Sequence, residues 1–314
     1  ETAHGTNPAS STRAGFKTKE TKSNKDGILD AENLKKLIDK DVAALMITNP
    51  NTLGVFESNI KESSKALHEN GSLLYMDGAN LNALMGIAKA GDFGVDIIHF
   101  NLHKTFATPH GGGGPGSGPV AVKKHLAEFL PVPTIEFDGK KYKFNRKLKN
   151  SIGKVSSFYG AFSVIVKAYA YIRMSGADGL RASAEQAIIN SNYLLSCLKN
   201  KYDIPYKKNC THEFVVSASK FKKNGVRALD IAKTLLDMGY HAPTIYFPLI
   251  VPESLMIEPT ETESKESLDG FIKAMETIAE HAEKNPDILK NSPETTPVGR
   301  LDEFKANREL NVKW

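Results

Sequence analysis

At 314 residues, 40% apolar and 25% charged, the chain is long enough to bury a substantial core, with two domains expected. The composition is neither that of a disordered chain nor that of a membrane protein, and no apolar run approaches the roughly 20 residues of a spanning helix. A net charge of +5 tolerates anionic partners without demanding nucleic acid. The two cysteines, Cys197 and Cys210, point to a reducing compartment rather than a disulfide framework, and both read as small buried apolar side chains.

The chain opens on Glu1-Thr2-Ala3-His4-Gly5-Thr6-Asn7-Pro8, with neither an initiator methionine nor a signal-peptide pattern, and so reads as the interior of something longer. Val42 to Thr48 is a short apolar run expected to be a buried strand, turned by Asn49-Pro50-Asn51-Thr52. Residues 60–70 have helical spacing, and Gly71 stops them. A strand follows and ends on Asp77-Gly78-Ala79-Asn80. Strand, helix, strand in this order is a parallel unit with a right-handed crossover. Asp96 to Phe100 extends the sheet and runs into Asn101-Leu102-His103-Lys104-Thr105. After a glycine-rich loop, Gly118 to Val122 adds another strand. Ligands of open α/β sheets gather at the carboxyl ends of the strands, where Asn49, Asp77 and Lys104 all fall.

Lys140 to Lys149 interleaves cations with aromatics. Nucleic-acid strands bind such surfaces, but the alternation also fits an exposed hairpin arm with a solvated face, which is the reading adopted. Helices are expected over residues 158–174 and about 180–201. Beyond them come a strand at 212–219, a helix at 226–238 and a strand at 244–248. Thr260-Glu261-Thr262-Glu263 has the spacing of a capping box opening a helix to about Glu283. Residues 285–314 read as a polar tail draped on a surface or a partner. The expected organisation is a large domain over 1–175, an interdomain helix with a small α+β domain over 176–284, and a tail over 285–314.

Asp77 and Lys104, on neighbouring strand ends, are the minimum equipment of a pyridoxal-phosphate enzyme. A lysine holds the aldehyde as a Schiff base, and a carboxylate keeps the pyridine nitrogen protonated so that the ring accepts electrons. The same residues taken singly fit a common Asp-Gly turn and a solvated lysine.

Longer motifs decide between these readings. The segments 3–10, 77–80, 101–106 and 109–116, the blocks Tyr240-His241-Ala242-Pro243-Thr244 and Met256-Ile257-Glu258-Pro259-Thr260, and the closing Thr295-Thr296-Pro297-Val298 together resemble the P-protein family of the glycine cleavage system. The match runs over nearly the whole chain and resembles the second subunit of the two-subunit form. The resemblance implies an α/β fold of the fold type I, aspartate-aminotransferase-like class, with a mostly parallel sheet and pyridoxal phosphate as cofactor. It implies decarboxylation of glycine, release of CO2 and transfer of the aminomethyl group to the lipoyl arm of the H-protein. It also implies P-protein subunit 1 as partner in a dimer of heterodimers, a cytoplasmic location, and no nucleic acid, membrane or metal.

Carried over position by position, Lys104 is the Schiff-base lysine, Asp77 the pyridinium partner and His4 the residue stacked on the ring. His103 is expected to touch the phosphate or the ring face, and Ala79 to line the cofactor. Thr52 is either a donor to the ring hydroxyl or a turn residue satisfying backbone. His110 with Gly111, Gly112 and Gly113 forms an expected active-site wall near substrate. The family extends well before Glu1, and the earlier part contributes the cup around the cofactor phosphate. This chain is therefore expected to bind cofactor poorly alone. The alternatives are an inactive fragment or structural subunit, or another fold type I amino-acid decarboxylase. Ala107 stands where relatives commonly carry cysteine, and Glu294 where they carry histidine.

Overall fold

A computed structural model describes residues 1–112, 116–206 and 210–313. The chain separates into two compact units, Glu1–Ala187 and Ile188–Trp314. The division falls inside one long helix.

The first unit begins with α1 (Thr6–Arg13) and α2 (Ala31–Leu37). Asp30 caps α2 by accepting from the amides of Glu32 (3.0 Å) and Asn33 (3.1 Å). Strand β1 (Ala44–Thr48), helix α3 (Ile60–Glu69) and strand β2 (Leu73–Gly78) make the expected parallel unit. α3 buries Ile60, Ser63, Ser64 and Leu67, and Gly71 at φ 80° turns the chain out of it. Strand β3 (Ile97–Phe100) lies parallel to β2 and leads directly into the short helix α4 (Leu102–Thr105). β4 (Val120–Val122) closes the sheet antiparallel to β3, in the order β1-β2-β3-β4. β1 and β4 are each two residues shorter at their starts than expected.

Alternation along β2 divides the two faces of this sheet. Leu74 and Met76 are fully buried with Ile47, Leu67 and Phe93 in a core beneath α2 and α3. Burying each contributes on the order of 1.5–3 kcal/mol. Tyr75 and Asp77 point the other way, as does His99 on β3.

β5 (Thr134–Phe137) and β6 (Tyr142–Asn145) pair antiparallel as the expected arm. Asp138 accepts from the amides of Lys140 and Lys141 at 3.1 Å in the turn, and Gly139 takes φ 92°. Ile135, Phe137, Tyr142 and Phe144 are exposed on the arm, so its surface is aromatic as well as basic. The two helices expected on either side of residue 175 are both present within Phe162–Leu198 (α5), meeting at a kink where Gly176 leaves helical geometry (φ 62°, ψ −175°). That backbone geometry needs glycine, so no loop is required between the halves.

In the second unit β7 (Phe214–Ser217), α6 (Ala228–Asp237), β8 (Thr244–Ile245), β9 (Ser254–Ile257) and α7 (Lys265–Lys284) form a small α+β layer with sheet order β7-β9-β8. The central strand, β9, was not anticipated; it is four residues long and lies between Pro252 and Pro259. α7 is capped by Ser264, whose side chain accepts from the Ser267 amide at 3.1 Å. The expected box at Thr260 is not the cap, because Thr260 sits in the left-handed region at φ 60°. Residues 285–313 begin with α8 (Pro286–Asn291), whose Leu289 is fully buried among Phe221, Ile231 and Met275, and end with exposed α9 (Glu303–Arg308). Arg300 ties the intervening loop down, donating to the carbonyls of Ser292 (2.7 Å) and Leu289 (2.9 Å) and pairing with Asp230 at 2.7 Å. Both cysteines are free; Cys210 is buried, whereas Cys197 is only half-buried.

Candidate active site

Parallel pairing sets the carboxyl ends of three strands in register. Thr48 on β1 faces Asp77 on β2, which faces His99 on β3. The N-terminal segment crosses this row. His4 donates its amide to Thr48 Oγ1 (2.9 Å), and its Nδ1 lies 2.8 Å from Asp77 Oδ2. Thr52 anchors the segment, giving both its amide and its hydroxyl to the Thr2 carbonyl at 3.0 Å. Thr52 is completely buried, and its hydroxyl is committed to backbone in this way.

Asp77 is 3% exposed. Oδ1 accepts from the Ala79 amide at 2.9 Å and lies 3.5 Å from His99 Nε2. Burial alone would raise its pKa, but the hydrogen bond and charge of His4 and the Ala79 amide overcome that and hold it below the usual carboxylate range. The group is therefore an anion at neutral pH. Gly78 is required beside it, since a Cβ there would stand 2.8 Å from the His99 carbonyl oxygen.

Lys104 is exposed on α4. Thr105 Oγ1 accepts from the Leu81 amide at 2.8 Å, fastening this helix to the loop after Asp77. Burial first, and the charge of Lys104 among smaller causes, depress the pKa of both His99 and His103. The His103 and His110 rings lie 4.6 Å apart, and His103 Nδ1 accepts from the Ser117 amide at 3.4 Å. Burial, then His110 and Lys104, lower the pKa of His103. Gly111 and Gly112 follow His110 at φ 67° each, while Gly113 lies outside the described residues.

Two features escaped the sequence. His99 was read only as part of an apolar strand, although an ionisable ring one residue before the strand end was a signal in the sequence. The loop after β1 is pinned by a buried carboxyl, Glu57, which accepts from the Leu29 amide and Asn51 Nδ2 at 2.7 Å each. Burial raises its pKa against those bonds. Ala107 is exposed at φ 53°, and Glu294 is exposed with its amide held by Asp237 at 2.8 and 2.9 Å. In the second unit one ligand atom each from His212, Glu213 and Glu258 lies within 4.8 Å of the others. All three have further polar partners, so no metal is assigned to them.

The fold is the α/β arrangement of the fold type I class of pyridoxal-phosphate enzymes. Solved structures of that class share the fold. A glycine decarboxylase (P-protein) of the glycine cleavage system in inhibitor-bound form matches with a TM-score of 0.70 and 20% identity, over 86% of this chain and 61% of that one. A cysteine desulfurase from Thermococcus onnurineus matches at 0.65 and 17%, over 86% and 68%. The sequence profile of the glycine cleavage system P-protein matches residues 7–137, and that of the glycine dehydrogenase C-terminal domain matches residues 183–294. Relatives named probable glycine dehydrogenase (decarboxylating) subunit 2 are 59% identical in Chloroherpeton thalassium and 56% identical in Caldanaerobacter subterraneus, each over 100% of this chain. The chain belongs to this family, that of glycine dehydrogenase (decarboxylating) subunit 2. It spans 64% and 65% of the length of those two relatives.

Proposed function

We propose that this chain carries the aldehyde-binding half of a pyridoxal-phosphate site that decarboxylates glycine and passes the aminomethyl group to a lipoyl-bearing carrier, working with a subunit 1 partner in the cytoplasm. The observation that carries the reading is Asp77: a buried, ionised carboxylate at the end of a parallel strand, accepting from an aromatic ring N–H at 2.8 Å. That donor is of the same kind as a protonated pyridine, so the residues present fit the cofactor. When bound, the cofactor supplies an electron sink for the pair released as CO2 departs.

The chain's own residues supply the rest. Lys104 offers the primary amine that holds the aldehyde. Asp77 would hold the proton at the pyridine nitrogen, and the amide of Ala79 fixes the rotation of that carboxylate. His4, clamped by Thr48 and indirectly by Thr52, lies beside Asp77 and would cover one face of the ring. His103, kept neutral by burial and by His110 and Lys104, holds its proton on Nε2 because Nδ1 already accepts from Ser117. His110, Gly111 and Gly112 line the approach to substrate and exclude water from it.

The test is exchange of labelled bicarbonate with the carboxyl group of glycine, using this chain with subunit 1 and a lipoylated carrier. Exchange that Lys104→Ala abolishes supports the reading. Exchange that survives Lys104→Ala refutes it. Exchange with a larger amino acid but not with glycine would favour another fold type I decarboxylase.

A further inference from the structure

We infer that Tyr75 and His99 form a positioning pair that orients Asp77 without setting a further cation against it. This role rests on the reading above. The pair follows from register: Tyr75 and Asp77 share a face of β2, and β3 sets His99 opposite Asp77 on that face. Tyr75 Oη lies 2.6 Å from His99 Nδ1, and His99 Nε2 lies 3.5 Å from Asp77 Oδ1. The imidazole thus stands between phenol and carboxylate, on the oxygen that His4 leaves to Ala79.

The direction of the protons is set by the neighbours. Burial, then the charge of Asp77, push the Tyr75 phenol up to about 12, so its O–H stays protonated and donates to Nδ1. With that lone pair engaged, a neutral His99 carries its hydrogen on Nε2, facing Asp77. His99 is kept neutral by burial first and by the charges of His4 and Lys104, against the pull of Asp77. Those four groups, Tyr75 and Asp77 on β2, His4 on the N-terminal segment and Lys104 on α4, are the polar side chains acting on it; across β4 it meets Val120. A neutral ring turns its Nε2–H toward Asp77 Oδ1, 3.5 Å away, without cancelling charge. A protonated imidazole would pair with Asp77 and compete with the pyridine nitrogen.

The experiment uses the whole chain labelled with 15N-histidine, with long-range 1H–15N spectra to read the tautomer of His99. The signal is assigned by its loss in His99→Gln. Carboxyl 13C titration of Asp77 is the second readout. We expect Nε2–H in the unmodified chain and appearance of Nδ1–H in Tyr75→Phe. We expect His99→Leu to make Asp77 about tenfold weaker as an acid, and His99→Gln, whose amide still donates, to restore it. An unchanged tautomer in Tyr75→Phe, or an Asp77 titration indifferent to His99→Leu, overturns the inference. Neither readout needs cofactor. If Lys104 is labelled by cofactor but Tyr75→Phe changes nothing, the pair fails and the cofactor reading stands. If the tautomer responds but Lys104 is never labelled, the pair's hold on Asp77 stands and the cofactor reading fails.

Discussion

Replacing Asp77 by Asn separates the shape of the site from its charge. Asn has the same outline, and its one carbonyl oxygen can keep the bond from Ala79 (2.9 Å in the native site). The amide nitrogen then faces His4 Nδ1, which can change tautomer and accept. The fold is therefore expected to lose only about 1 kcal/mol, a few degrees in Tm. The charge is lost completely. At about 3 Å and an effective dielectric near 20, a carboxylate and a ring N–H cation attract by roughly 5 kcal/mol. Desolvation and exchange of hydrogen bonds with water leave about 1.5–3 kcal/mol of net worth. Turnover of glycine in Asp77→Asn should thus fall by roughly 10- to 150-fold. The assay is labelled-bicarbonate exchange alongside a thermal melt. Turnover within a factor of about three of the native value, with Tm unchanged, would refute the argument that this charge drives the chemistry.

Three further outcomes are expected. Asp96 is held below the usual carboxylate range because, against burial, it accepts from the Leu74 amide (2.8 Å) and His68 Nε2 (2.8 Å) and pairs with Lys123 (3.3 Å). Its folded pKa lies below the unfolded one, so its contribution is present above about pH 4 and lost as pH falls further; urea midpoints against pH should show a shallower acid limb in Asp96→Asn. Gly78→Ala puts a Cβ 2.8 Å from the His99 carbonyl and 3.0 Å from two side chains, and should cost about 1–3 kcal/mol in a thermal melt. An unchanged Tm would contradict the close approach of β2 and β3. Leu289→Ala removes a fully buried side chain of α8 and should cost about 2–5 kcal/mol by urea titration. A cost near zero would contradict the packing of α8 through Leu289.

Asp77 and Lys104 could be read from sequence because each closes a short apolar run, and a strand end is a local pattern. The parallel unit of β1, α3 and β2 was legible for the same reason. The link from His4 to Asp77 was not, since it joins residues far apart in the chain; only the family resemblance pointed at His4. His99 was passed over because its meaning depends on which residue of β2 it faces, and register is a property of the assembled sheet. β9 was hidden by its length and its flanking prolines, and α7 began late because Thr260 carries a backbone conformation that cannot start a helix. Residues 285–291 pack through one fully buried side chain, Leu289, in a segment whose other apolar side chain, Ile288, is exposed.

The central claim is that Asp77 and Lys104 serve one cofactor. Borohydride trapping of the chain with pyridoxal phosphate, with and without subunit 1, followed by peptide mapping, tests it most directly. The account predicts label on Lys104, lost in Lys104→Ala and weakened in Asp77→Asn. Label on a different lysine in the presence of subunit 1 would contradict it.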